Sequence, residues 1–317
     1  MFSKVLAKYL MKLSEVRPSI DDENVWEFQE IFHHPIYTNG SDAQKKEIMR
    51  RCSLAKYNNE MAYPWDHYFG IDLRPLLQGK TVLDLGCLTG GRGIAWTELY
   101  ETKHLVGVDV DESYIAAARQ FAAMKKVSAE FRVARGEAIP LEDNSVDAVL
   151  SFDVFEHVQN PDSVLKECYR VLKPHGKAFL VFPSYYQPVE HHLALVTQLP
   201  GLQYLFSGKT LVQAYWEILE ERGSEAIWYK RRSPNLNPWE KGNTINGLTL
   251  RAFKKLIKKS DWRITSQAMF PIGAIGRNSS RSKLRRILAP IFYPLTYIPG
   301  LQEVFLHRVS FILEKPE

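Results

Sequence analysis

Several absences narrow the reading of this 317-residue chain. Cysteine is scarce: Cys52, Cys87 and Cys168 are odd in number, widely spaced and form no Cys-x-x-Cys pair. That excludes a disulfide framework and a zinc knuckle, and it fits a reducing cytoplasm. No apolar run approaches the roughly 20 residues that cross a bilayer. Internal repeats and low-complexity stretches are missing as well. Charge of one sign is not abundant either, because the net charge of +5 is too mild to point to nucleic acid. With 45% hydrophobic and 24% charged residues, the composition is that of an ordinary globular protein of one large or two small domains.

A further absence is local. Val82-Leu-Asp-Leu-Gly-Cys-Leu-Thr-Gly-Gly-Arg-Gly93 is a short apolar strand that runs into a glycine-rich turn. Gly86 and Gly90 allow a sharp turn and close approach of a ligand, and a helix starting near Gly91 aims its free N–H groups at that ligand. A dinucleotide fingerprint needs a second glycine where this chain has Leu88, so that the backbone can touch a pyrophosphate. Asp84, two residues before the first glycine, would repel a pyrophosphate and suits a cationic or amine-bearing cofactor. A dehydrogenase is therefore disfavoured.

The pattern Asp84-x-Gly86-x-x-x-Gly90 resembles motif I of class I S-adenosylmethionine-dependent methyltransferases, with Leu88 in place of the family's usual glycine. Further segments follow in that family's order. Leu105–Val110 reads as a second buried strand ending at Asp109, roughly 20 residues past the loop, where an acid accepts both ribose hydroxyls. Glu130–Glu137 reads as a third strand. Its end, Gly136-Glu137-Ala138, resembles the segment in which an acid meets the adenine amino group and the next N–H a ring nitrogen. Asp143–Val158 resembles the fourth strand with its active-site end, and Val171–Gly176 the turn into a fifth strand, Lys177–Phe182. The resemblance covers about residues 65–185. It implies a Rossmann-like, seven-stranded, mostly parallel α/β sheet with helices on both faces. It also implies S-adenosyl-L-methionine as cofactor, held by Asp84, Gly86, Cys87, Gly90, Asp109, Val110, Glu137, Ala138 and Asp153.

Around this core the chain divides into a mostly helical N-terminal cap, residues 1–75, and a methyltransferase domain, residues 76–317, with insertions at about 184–247 and 272–301. Phe2, Leu6, Tyr9 and Leu13 recur at helical spacing, with Lys4, Lys8 and Lys12 on another face. That amphipathic helix either packs on its own domain or lies on a membrane. Trp65 and Phe69 follow Pro64 in an aromatic cluster that either caps the cofactor cleft or seals the sheet edge. Leu248–Lys259 restores a helix, Trp262–Phe270 reads as a sixth strand, and His307–Glu314 as the last, antiparallel beside strand five in this family. Both insertions leave near the carboxyl ends of the strands, where open α/β sheets bind ligands.

The insertions bear on the acceptor. Pro234–Asn246 mixes amide donors and acceptors with an indole face, which suits a sugar-like acceptor; Trp65, Trp239, Asn243 and Asn246 are the candidate contacts. In the second insertion Arg277, Arg281, Lys283, Arg285 and Arg286 precede the apolar Ile287–Leu301. That segment is either a surface for anionic lipid or a lid with a solvated basic flank. The expectation is an O-methylating transferase acting on a sugar or lipid-linked saccharide, in the cytoplasm or at the inner face of the membrane. Nucleic acid is not expected, since no extended basic-aromatic module occurs. A hydroxyl nucleophile needs a base, and His192, with His191 beside it, follows strand five; Asp153 and His157 are the rivals. Asp153-Val-Phe-Glu156-His157 also resembles the Glu-x-x-Glu-His metal motif of ubiquinone-pathway and small-RNA O-methyltransferases. Asp153, Glu156, His157 and His192 are thus an alternative metal set, but Asp replaces the first Glu and metal-free chemistry is expected. A cofactor-binding homologue without chemistry is the other alternative.

Overall fold

The computed structural model describes residues 2–15, 40–187, 193, 196–197, 199–222, 246–272, 287, 290–298 and 300–317. Among the described residues four helices precede the sheet: α1 (Phe2–Leu13), α2 (Asp42–Ala62), α3 (Asp66–Phe69) and α4 (Arg74–Leu77). The core then alternates as β1 (Thr81–Leu85), α5 (Gly91–Leu99), β2 (His104–Asp109), α6 (Glu112–Lys125) and β3 (Ala129–Val133). It continues with β4 (Val146–Phe152), α7 (Pro161–Val171) and β5 (Leu172–Phe182). Beyond lie α8 (Leu202–Leu205), α9 (Gly208–Glu221), α10 (Leu250–Lys258), β6 (Arg263–Pro271) and β7 (Leu306–Glu314).

The seven strands form one sheet in the order β3-β2-β1-β4-β5-β7-β6. Strands β1–β5 run parallel, while β7 lies antiparallel to both β5 and β6. The expected class I architecture is thus present. Strand β5 starts earlier than the sequence suggested, because Leu172 already pairs with Val146 before the ladder shifts register. Between the two paired stretches His175 stands at φ +62°.

Strand alternation sorts the apolar residues onto two faces. Leu83, Leu85, Val149, Leu180 and Phe182 pack with α7 and α10 into one core. Val82, Leu150, Phe179 and Val181 pack with α3–α5 on the other. Each such fully buried side chain contributes roughly 1.5–3 kcal/mol, so the sheet is well covered on both sides.

Helix α1 departs from its sequence reading. Ala7 and Met11 are buried, whereas Leu6, Tyr9 and Leu13 face solvent. The reason lies in α9, whose Glu217 and Glu221 present an acidic stripe one helical turn apart. Lys4 and Lys8 pair with Glu217, Lys8 also pairs with Glu221, and Lys12 reaches Glu221 at 2.6 Å. The lysine edge therefore turns inward. Together α1, α2, α6, α8 and α9 enclose a further apolar cluster containing Met11, Met49, Tyr114 and Tyr215.

Candidate functional site

The glycine turn is made almost wholly by backbone. The N–H groups of Gly86 and Cys87 both donate to the Val108 carbonyl, at 2.9 and 3.0 Å, which ties the turn to β2. Gly86 sits at φ +74° and Gly90 at φ +76°, values that favour glycine. A Cβ on Gly86 would lie 2.3 Å from Val154 Cγ2, so the turn also needs glycine for close approach to the segment after β4. Leu88 adopts φ +50° without being glycine. Its side chain packs against the α1–α9 cluster, which explains why a leucine can stand there.

Three acids surround the turn. Asp84 is buried on β1, and one of its oxygens, Oδ2, has no hydrogen-bond partner among the described residues. Burial pushes its pKa up to about 7, Arg92 pulls it down, and Asp109 and Glu60 push it up. Asp109, at the end of β2, accepts the Leu88 N–H at 3.0 Å and the Asp111 N–H at 3.0 Å. It braces the loop as well as facing it. Glu137, half-buried after β3, accepts the Asn160 N–H at 3.1 Å, and Ala138 beside it is exposed. Val110 is half-buried at the end of β2. Cys87 turns its side chain into the apolar core, where burial holds the thiol well above its ordinary range. Only its backbone belongs to the loop.

The second half of the edge is built from distant segments. Asp153, directly after β4, sits at φ +54°, a strained conformation that aspartate tolerates better than most residues. Arg308 grips it with two bonds, Nε to Oδ1 at 3.1 Å and Nη2 to Oδ2 at 2.9 Å. Arg308 also donates to His307 Nε2 at 2.9 Å. This contact exists because β7 runs antiparallel, so its first residues lie beside the carboxyl ends of β4 and β5. From the other side, Arg92 on α5 donates to the buried Glu60 of α2 at 2.9 Å, and Glu60 also accepts the Trp96 indole N–H at 3.3 Å. Both guanidiniums approach the Phe152 ring, Arg92 at 4.0 Å and Arg308 at 5.4 Å from its centroid. The sequence reading missed Glu60, Arg92, Arg308 and His307. The one available signal was the polar pair His307-Arg308 opening an otherwise apolar strand.

Several expected contacts lie elsewhere. Trp65 is only 1% exposed and packs at tilted angles among Phe69, Trp96 and Phe152, so it seals the sheet rather than facing an acceptor. Asn246 is spent on structure: its amide donates to the carbonyls of Phe155 at 2.6 Å and Val158 at 2.8 Å, and its oxygen accepts the Leu248 N–H. It staples the segment that carries Glu156 and His157. Glu156 is buried, and His157 lies beside it at 3.8 Å. Both oxygens of Asp153, the first residue of the alternative metal set, accept bonds from Arg308. Among the described residues no group of three or more His, Cys, Asp or Glu could hold a metal ion. His191, His192, Trp239 and Asn243 lie outside the described residues.

An open, mostly parallel sheet with this strand order, a glycine turn after β1 and acids at or after the ends of β1, β2 and β3 is the arrangement of the class I methyltransferase fold. Residues 83–180 match the family model described as a methyltransferase domain. Over 110 residues the chain is 36% identical to the ubiquinone biosynthesis O-methyltransferase of Pseudomonas putida, covering 34% of this chain and 47% of that protein. Over another 110-residue match it is 33% identical to the phosphoethanolamine N-methyltransferase of Triticum aestivum, covering 35% and 22%. The chain thus spans about half, or less, of the curated relatives it matches. Two solved structures share the fold at a TM-score of 0.50. One is the geranyl diphosphate C-methyltransferase of Streptomyces coelicolor, at 11% identity and covering 99% and 98% of the two chains. The other is a chain from the Haloferax volcanii complex of a methyltransferase with its Trm112 activator, at 15% identity, 90% and 98%. Residues 83–180 thus carry a methyltransferase domain, set in a chain with the class I methyltransferase fold.

Proposed function

We propose that the protein transfers a methyl group from S-adenosylmethionine to a small-molecule acceptor, at the hydroxyl of a sugar or lipid-linked saccharide. The observation that carries the cofactor part is the buried Asp84 carboxylate, whose Oδ2 lacks a hydrogen-bond partner among the described residues beside a glycine cradle that a Cβ would fill. A buried acid pushed up to about 7 ionises when a cation is placed near it, so the pocket suits a cofactor bearing an amine and a sulfonium. Asp109 would hold the ribose hydroxyls, and Glu137 with the Ala138 N–H the adenine edge. The sulfonium supplies an already activated methyl group.

What remains for the chain is to place the acceptor in line, exclude water and take up a proton. Asp153, fixed by Arg308, acts as a positioning group at the acceptor side rather than as a free base. His192, next to His191, is the base in this reading, with His157 as its rival. The acceptor class rests on the asparagine- and tryptophan-containing stretch 234–246, now without Trp65 and Asn246 as contacts.

The test has two stages. Calorimetry should show S-adenosylmethionine binding with one site per chain, and absence of binding would end the reading. Deuterated cofactor incubated with purified glycans and glycolipids should then add one labelled methyl. His192→Ala should lower kcat by about a hundredfold while sparing cofactor affinity. Cofactor binding without transfer to any hydroxyl acceptor would overturn the acceptor assignment.

A further inference from the structure

The stretch after β6 exposes a surface that the methyl-transfer reading does not use. It leaves the sheet at Pro271 and returns at Leu306, which pair with one another at the same carboxyl edge as the glycine turn. Its return is pinned by Glu303, which accepts bonds from the Ser184 hydroxyl and the Arg251 N–H. Phe292 stacks inward on Phe305 and Thr296 is buried. The outward side is different. Ile287 is 70% exposed, Ile291 59%, Tyr293 50% and Tyr297 55%, with Ile298 and Leu301 also exposed. Scattered surface apolar residues are ordinary, but six on one short segment are not.

The sequence around this patch is charged in one sense only. Arg277, Arg281, Lys283, Arg285 and Arg286 lie directly upstream, and no Asp or Glu occurs from Ile272 to Gln302. A second copy of the chain would bring like charges together across a symmetric interface, which is unfavourable. Isoleucine and leucine side chains offer no stacking platform for bases, unlike a nucleic-acid surface. Aliphatic residues, interfacial tyrosines and adjacent cations together match one kind of partner. The exposed stripe on α1 lacks this match, since its lysines are already paired with Glu217 and Glu221.

We infer that the exposed side chains of Ile287, Ile291, Tyr293, Tyr297, Ile298 and Leu301, which the basic run directly precedes in the sequence, dock the protein on the surface of an anionic lipid bilayer and turn the carboxyl edge of the sheet toward it. The inference does not depend on the methyl-transfer reading, and binding to vesicles and binding of S-adenosylmethionine are read separately.

The test is co-sedimentation of the full chain with phosphatidylcholine vesicles, with and without phosphatidylglycerol. Binding is expected only to the anionic vesicles and should fall as salt is raised. The double variant Ile291→Glu/Tyr297→Glu should weaken it at least tenfold, and Arg285→Gln/Arg286→Gln by about threefold to tenfold. Unchanged thermal melting would confirm that each variant folds. Should the glutamate variant melt early, Tyr293→Ser/Ile298→Ser replaces it with the same expectation. Equal binding to both vesicle types, wild-type binding by the folded variants, or no sedimentation would overturn the proposal. So would self-association that depends on Ile291, or RNA binding, without vesicle binding.

Discussion

The carboxyl ends of β1–β3 lie along the same edge of the sheet as the carboxyl ends of β4–β6 and the start of β7, but the two regions are assembled by different means. In the first region Asp84, Gly86, Gly90 and Asp109 lie within one strand-helix-strand unit, and backbone bonds such as Cys87 N–H to Val108 carbonyl set the shape. In the second, Asp153 is held by Arg308 from 155 residues away and the segment behind it by Asn246 from 91 residues away. A locally built site forms whenever its unit folds. A site built from remote pieces depends on the sheet closing correctly at β7. Cofactor affinity should therefore be governed by the first region and acceptor chemistry by the second.

The largest expected effect is at Gly86. Gly86→Ala meets Val154 and adopts an unfavourable φ, so it should destabilise by about 2–4 kcal/mol and cut cofactor affinity more than tenfold. Gly79→Ala, at φ +69° with no atom within 4 Å, isolates the strain and should cost only about 1 kcal/mol in a denaturant melt. Equal losses at the two positions would show that Val154 does not press on the turn.

Next is Arg308→Met, which leaves the Asp153 carboxylate without its fork. Turnover should fall at least tenfold while cofactor Kd moves by less than about threefold, and Arg308→Lys should restore little because it cannot grip two oxygens. A matching loss of cofactor affinity would erase the division between the two regions.

Asp109→Ala should weaken S-adenosylmethionine binding about tenfold to a hundredfold. Asp109→Asn should lose less, since an amide oxygen can still accept the Leu88 N–H. Identical affinities for the two variants would mean that the loop brace contributes nothing.

Asp84 gives a pH signature. Its folded pKa of about 7 stands above the ordinary 3.8, so the folded chain retains a proton that the unfolded chain has released. This group's contribution is neutral below about pH 4, and stability is lost as pH rises to about 7. Asp84→Asn should then stabilise the cofactor-free protein by up to about 2–4 kcal/mol at pH 8, with the gain vanishing near pH 4. A pH-independent difference would remove the titration of Asp84 as its cause.

Leu88→Gly is the smallest case. Relief of the left-handed strain and loss of apolar packing oppose each other, so stability should change by less than about 1 kcal/mol. A loss above about 2 kcal/mol would mean that the α1–α9 cluster depends on that leucine.

The sequence by itself determined the alternation of the core, the glycine turn and the three acids around it. Buried parallel strands are short apolar runs, and their turns demand glycine or a left-handed backbone at fixed offsets, so these features are written locally. Tertiary structure alone decided the rest. It turned the lysine edge of α1 inward, because Glu217 and Glu221 on α9 offered charge where sequence periodicity offered only hydrophobicity. It buried Trp65, because which aromatic lies beneath the sheet depends on where Trp96 and Phe152 arrive. It brought Arg308 to Asp153, because an antiparallel last strand places its beginning at the ends of its parallel neighbours. Nothing within a few residues of Arg308 or Asp153 encodes that meeting; strand order and direction do.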